Sequence, residues 1–424
     1  MKALSLLLFA ATSICVYGQS QQPMEPASAP GSVTPLAVLI AEAQQNNPEI
    51  RLMAHSSMAA KQMAKSAGAL PDTQFVLQHL SVGSPRPFAG YTNSDFAYIG
   101  LGAAQEFPGP GKRKLRQEAA GLQAQAAQAQ SDAQGRTVVD QVKTAYYKLA
   151  YLQQTLTILL RDDKLLGEME QIAESRYRVG KGNQQEVLKA QLQHTRILQE
   201  INAHHREVAG QQAEIKRLLA RPQDSPDVVA ESLRERALPP APKELLRQAG
   251  ENNPEVVARK AMAGRADKLV ELSRREFRPD FGVQYMYQNT DRRFRDYYMA
   301  TLTVTLPNRG RRQAELAQAL EEQKAAGAAV DAESRKRAAE TYEQYEIARL
   351  STEQLKIYRE GLMPQAEATL RAAMSAYQTN QQDFETLLSS FRDVLDIEEQ
   401  YQKELSDHES ALARIESLTG VTLP

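Results

Sequence analysis

FPGPGKR, residues 107–113, returns as LPNRGRR at 306–312, with Pro108 set against Pro307 and Gly111 against Gly310 at one offset of 199. Three further landmarks repeat in the same order. NNPEI at 46–50 recurs as NNPEV at 252–256, Pro71-Asp72 as Pro279-Asp280, and YRVGKGNQQEVL at 177–188 as YQTNQQDFETLL at 377–388. Landmarks that keep order and near-constant spacing make the chain a tandem duplication. The first repeat covers 36–220, a Pro-rich linker 221–242, and the second repeat 243–424.

The duplicate also decides what the glycine-proline knot is for. Gly111 and Lys112 suggest a phosphate loop, but such a loop needs Gly at 106 and Ser or Thr at 113, where the chain has Glu106 and Arg113. What both copies keep is punctuation. Pro108 and Pro307 end a strand, Gly111 and Gly310 permit a turn, and a long helix follows. Lys112 and Arg113, like Arg311 and Arg312, then fall in a first helical turn, where each cation opposes the helix dipole by about 0.3–1 kcal/mol. Their presence in both copies predicts a compensating contact, either with lipid phosphates or with a neighbouring chain's carboxylates.

Each repeat reads as helix, two strands, then a long helical hairpin. The strands fall at about 73–83 and 95–107, and again at about 280–289 and 297–306. In the second pair Phe281, Val283, Tyr285 and Tyr287 alternate with Gly282, Gln284, Met286 and Gln288, which is period two with one apolar face. The hairpins occupy about 111–220 and 310–420. Val138, Val142, Ala145, Leu149, Leu152, Leu156 and Leu159 step by four and three, the seam of a coiled coil. Pro364, read as lying in the returning half of the second hairpin, predicts a local bend or break. Gly180 and Asn380 each follow a tyrosine by three positions and tolerate left-handed backbone, which places the hairpin turns there.

Composition agrees with long helices: aromatics are 6%, Trp is absent, and the net charge of -1 gives no global field for a polyanion, so no nucleic-acid partner is expected. Residues 1–18, MKALSLLLFAATSICVYG, read as a secretory signal peptide, followed by a flexible segment over 19–35. Cys15, the chain's one cysteine, lies inside that signal. Ile14 before it is not the small residue that lipidation requires. Beyond the signal no apolar run is long enough for a membrane helix, so a bilayer crossing would have to use strands. Four strands cannot close a membrane barrel, whose smallest form has about eight, so several chains must share one.

With these residues in view the sequence resembles the TolC-like outer-membrane efflux protein family over essentially the whole mature chain. The likeness is carried by the duplicated NNPE, by EFPGPGKRKLR, by SRYRVGKGNQQEVLKAQ, and by LMPQAEATLRAAMSAYQTNQQDFETLLSSFRDVL. It implies a mainly α fold with a small β part. Three chains would form a helical periplasmic tunnel and a twelve-stranded outer-membrane barrel, with Pro108 to Arg113 and Pro307 to Arg312 as the barrel-to-tunnel joint. The partners implied are two further copies, outer-membrane lipid, a periplasmic adaptor and an inner-membrane pump, with no cofactor. RYRVGKGNQQEVLKAQ looks most like the branch serving heavy-metal pumps of the CusC and CzcC kind. His204 and His205 are adjacent, however, and His194 does not complete a metal site with them. In the family, acidic residues near the second tip form a cation-favouring ring. Here Thr386 and Ser389 stand where aspartate would be expected, leaving Glu186, Asp383 and Glu385 as the aperture candidates.

The sequence lacks a nucleophile elbow and a metal-spaced His/Cys cluster, so no enzyme is predicted. A periplasmic adaptor would show one hairpin flanked by soluble β-domains. A secreted coiled-coil protein would not need matching strand pairs.

Overall fold

The computed structural model describes residues 33–80, 98–238, 241–289 and 296–423. The expected signal peptide with Cys15, most of the segment 19–35, and the strand ends expected at 81–83 and 95–97 lie outside them. Of that segment, Val33 forms a parallel bridge with Val229 and the Thr34 amide donates to the Val229 carbonyl at 2.9 Å, so residues 33–34 are paired rather than free.

The NNPE motif acts the same way in both copies. α1 (Leu36–Asn46) stops where Asn47 takes an extended backbone before a proline, and α2 (Pro48–Ala67) starts at once. The Asn47 Oδ1 accepts from the amides of Glu49 (2.8 Å) and Ile50 (3.3 Å), while its Nδ2 donates to the Leu218 carbonyl at 2.8 Å. In the second copy Asn253 separates α5 (Lys243–Asn252) from α6 (Pro254–Arg275). Its Oδ1 accepts from Glu255 at 2.9 Å and its Nδ2 donates to Leu418 at 2.9 Å. Each buried asparagine thus caps one helix and ties down the end of a helix about 165 or more residues away. Asn47→Ala is expected to cost about 2–3 kcal/mol, combining a lost cap with an unpaired buried carbonyl. Asn47→Asp keeps the cap and should cost less. Urea unfolding followed by circular dichroism checks both, and an alanine variant within 0.5 kcal/mol of wild type would show the contact to be idle.

One antiparallel sheet follows the order β1 (Gln74–Leu80), β2 (Tyr98–Phe107), β3 (Asp280–Asn289), β4 (Tyr297–Thr305). The two repeats meet in its middle, where Phe107 lies opposite Phe281 and Leu101 opposite Tyr287. Cross-strand partners share a face. One face therefore carries Phe75, Leu77, Leu101, Val283, Tyr285, Leu302 and Val304, all exposed. The other carries Gln74, Gln78, Glu106, Gln284, Gln288, Thr301 and Thr303. On this polar face Gly102 is required: a Cβ there would sit 2.8 Å from the Tyr285 carbonyl, which the ladder holds in place.

The helices form the rod. α3 (Lys112–Arg178) runs 67 residues, about 100 Å at 1.5 Å per residue, and returns as α4 (Gln184–Leu218). Of the seven seam residues all but Leu156 are buried, and Leu156 packs against the core cluster that contains Leu159. The seam continues through Leu166, Met169 and Ala173, with Asp162 at one seam position and within 2.8 Å of Arg161. The second hairpin is interrupted. α7 (Arg309–Ile357) passes through a π-helical turn at Tyr358–Leu362 into α8 (Met363–Gln378), which returns as α9 (Phe384–Thr419). Pro364 therefore lies on the outgoing arm, not the returning one, because the turn comes only at 379–383. The wide turn ahead of it fits a residue with no N–H and a ring that would clash with the carbonyl four residues back.

The Pro-rich segment after residue 220 is laid against these helices. Arg236 pairs with Glu409 (2.5 Å) and Glu416 (3.1 Å) of α9, and the Val228 amide donates to Gln212 at 2.9 Å.

Candidate functional site

The two hairpin tips close with the same hydrogen bonds, 200 residues apart. In the first, Gly180 (φ 72°) follows α3, and the amides of Gly180 and Lys181 donate to the carbonyls of Tyr177 and Arg176 at 3.0 and 2.9 Å. In the second, Asn380 (φ 63°) follows α8, and Asn380 and Gln381 donate to Tyr377 and Ala376 at 3.1 and 2.9 Å. The left-handed residue lets these two bonds satisfy otherwise orphaned carbonyls. The next helices are then capped: Asn183 Oδ1 accepts from the Glu186 amide at 2.9 Å, and Asp383 Oδ1 from the Thr386 amide at 2.9 Å.

Side chains break this symmetry. Arg176, whose counterpart is Ala376, lies over the Tyr377 ring with its Cζ 4.3 Å from the centroid. It donates to the Tyr377 carbonyl, to Asn380 Oδ1 at 2.5 Å and to the Lys181 carbonyl at 3.2 Å. Glu186, whose counterpart is Thr386, accepts from the Tyr377 hydroxyl at 2.9 Å. Tyr377 is buried against Phe384, whereas its counterpart Tyr177 is exposed. The first tip thus grips the second through one tyrosine. Burial, reinforced by the Glu186 carboxylate, pushes the Tyr377 hydroxyl well above its ordinary range, so it stays a donor. Of the other two aperture candidates, Glu385 is ion-paired with Lys189 and Asp383 is the cap of α9. The Thr386 hydroxyl and amide hold the Asp383 carboxyl below the usual carboxylate range. Its charged cap is therefore present at neutral and mildly acidic pH and is lost only as pH falls through that lowered value.

At the other end the joint is built from opposite charges of one chain. Gly111 takes φ 87°, and a Cβ on it would lie 2.6 Å from Arg275 Nη1, so the turn between β2 and α3 requires glycine. The joint between β4 and α7 does not: Gly310 falls inside the first turn of α7, and Asn308 caps that helix by accepting from the Arg311 amide at 3.2 Å. The Lys112 side chain is turned inward and 1% exposed. Its Nζ lies 2.9 Å from both Glu276 and Asp280 and 3.0 Å from the Arg278 carbonyl, and Asp280 also accepts from the Gly109 amide at 2.6 Å. Glu276 is met by Arg116 (2.9 Å) and Arg312 (3.4 Å), while Arg113 donates to the Gly68 carbonyl at 2.7 Å. The compensation expected from lipid phosphates or another chain is thus supplied to Lys112, Arg113 and Arg312 within the chain. Arg311 differs, being 71% exposed and paired among the described residues only with Glu315 on its own helix.

Residues 39–221, nearly the whole first repeat, match the model of the outer membrane efflux protein family. The first repeat is therefore similar to this family. The fold of the chain is that of solved channels across both repeats. OprN, described as an outer-membrane channel, is 18% identical with a TM-score of 0.78, over 92% of this chain and 91% of its own. CusC, described in terms of transmembrane channel formation, is 16% identical with a TM-score of 0.79, over 91% of each chain. VceC from Vibrio cholerae is 19% identical with a TM-score of 0.77, over 91% of this chain and 96% of its own. No curated protein matches the sequence. The likeness to CusC does not exceed that to OprN or VceC enough to single out a heavy-metal branch.

Arg176 and Glu276 are site residues that the sequence alone does not single out. A signal for Arg176 existed, since a copy-to-copy comparison shows arginine against alanine. Glu276 gave none, because its counterpart is Gly68 and its partners lie far away in sequence. His194, which completes no metal site with His204 and His205, stands between Asp163 (3.1 Å) and Glu170 (2.9 Å) of α3, tying α4 to it.

Proposed function

We propose that three copies of this chain close one twelve-stranded barrel in the outer membrane. Their helices then form a periplasmic tunnel whose tips dock with a periplasmic adaptor and an inner-membrane pump, and the duct passively conducts what the pump delivers. The observation that carries this reading is a four-stranded sheet with an exposed apolar face and two open edges, β1 and β4. Open edges in lipid leave backbone groups unpaired, so the sheet must be completed by other copies. Among the described residues no helix is long and apolar enough to cross a membrane, which leaves the sheet as the spanning element. Extraction from an outer-membrane fraction, native mass measurement and planar-bilayer recording test it. A monomer without conductance would overturn it.

The domain limits read from the sequence, with repeats at 36–220 and 243–424, carry over into this proposal, as do the aperture candidates. Glu186 and Glu385 are each engaged by a neighbouring side chain, which leaves the exposed Asp383 as the aperture candidate with no ion pair among the described residues. Repeated threefold, it makes a ring that raises cation occupancy. Asp383→Asn keeps the cap and removes the charge, so the cation-to-anion permeability ratio should fall while the fold is unchanged. An unaltered reversal potential would place Asp383 off the aperture. A metal cargo rests on the sequence resemblance alone.

A further inference from the structure

The two repeats obey one internal symmetry that can be tested within the chain and then extended beyond it. Residues of β1 map to β3 by adding 208, as Pro71-Asp72 does to Pro279-Asp280, and residues of β2 and the joint map to β4 and its joint by adding 199. Gln74 lies opposite Ala104; the mapping turns this pair into Gly282 and Thr303, which do lie opposite each other. Leu80 and Tyr98 become Gln288 and Tyr297, again a true pair. The rule holds for side chains too, since Arg113 on Gly68 becomes Arg312 on Glu276.

Applied to the β2–β3 seam, the same rule has no counterpart inside one chain. Lys112 on Asp280 becomes Arg311 on Asp72, and Phe107 opposite Phe281 becomes Leu306 opposite Thr73. Yet β4 and β1 are the two outer strands of the sheet. Asp72 is exposed and has no ion-pair or hydrogen-bond partner among the described residues, and Arg311, the counterpart of the buried Lys112, is 71% exposed. We infer that Arg311 of one copy pairs with Asp72 of the next, reproducing between copies the Lys112–Asp280 contact that joins the repeats within one. The β4 edge then meets the neighbouring β1 edge with Thr305 opposite Gln74, Val304 opposite Phe75 and Leu302 opposite Leu77. This register keeps the faces consistent, because Val304, Leu302, Phe75 and Leu77 all belong to the apolar face and Thr305 and Gln74 to the polar one, and among the registers of that parity it is the one the repeat mapping selects. A slip of one residue would put every apolar side chain on the wrong side. The charges also complement each other: Glu315 of the same joint occupies the position of Arg116, so Arg311 has two carboxylates, as Lys112 has in Glu276 and Asp280.

This inference rests on the oligomeric channel proposed above, and the experiment separates the two. In mild detergent the wild-type protein should run as a trimer. Gln74→Cys with Thr305→Cys should then give covalent dimers and trimers on oxidation, and the pair Gln74→Cys with Thr301→Cys, four residues out of register, should not. Asp72→Asn and Arg311→Gln should each shorten the lifetime of the SDS-resistant oligomer roughly tenfold, and the double variant should be no worse than either, as coupled partners require. A wild-type monomer would overturn the channel reading and this inference together. A wild-type trimer in which the out-of-register pair links, or in which the two single effects add, would overturn the inference alone.

Discussion

Replacing Lys112 with methionine should lower stability by about 3 kcal/mol, because a buried ion pair broken on one side leaves its carboxylates uncompensated at about 3–5 kcal/mol. The lower end applies here. Glu276 retains Arg116 and Arg312, and the Asp280 side chain is 37% exposed, so water takes up part of the loss. Lys112→Arg keeps the charge but must fit a longer, planar group into a side chain's space that is 1% exposed, and should fall in between. Lys114→Met is the control, since Lys114 is 81% exposed and near only Glu118, so its loss should stay within about 0.5 kcal/mol. Denaturant midpoints of the detergent-solubilised protein decide it. A Lys112→Met protein no weaker than Lys114→Met would mean that the joint is not held by this charge.

Arg176→Ala should release the tip. The wild-type guanidinium donates to the Tyr377 carbonyl, Asn380 Oδ1 and the Lys181 carbonyl and covers the Tyr377 ring. Hydrogen bonds from a charged group contribute about 1.5–3 kcal/mol, which corresponds to roughly a tenfold to hundredfold change in the ratio of gripped to released tips. Single-channel recording should show open time rising by that order. Arg176→Lys keeps the charge without the fork and should lie between. Tyr377→Phe removes only the bond to Glu186 and should have the smaller effect. The Tyr377 hydroxyl is held above the tyrosine value of 10, so its contribution is fully present below pH 10 and disappears only at higher pH. Open times in Arg176→Ala equal to wild type would show that this contact does not hold the tips.

Much of the architecture was legible because it is written twice. The strand pairs, the heptad seam from Val138 to Leu159 and the tip turns at Gly180 and Asn380 all depend on local backbone preference or short periodicity, which neighbouring residues express. The joint was only half legible. Pro108 and Gly111 announce a strand end and a turn by themselves, whereas Lys112 reads as a surface cation until Glu276 and Asp280 are brought to it. Gly310 misled for a related reason: similarity to Gly111 in sequence does not require the same backbone, and Asn308 supplies a cap that Gly109 cannot.

The sequence by itself determined that two equivalent halves each make a strand pair and a long hairpin, since periodicity, turn residues and caps act over a few positions. Only the tertiary structure decided how the halves differ. Arg176 and Glu186 close on Tyr377, and Lys112 is buried by carboxylates of the other repeat, through contacts that span some 160 to 200 residues. A charge's role depends on what surrounds it, and that is set by packing rather than by neighbours in the chain.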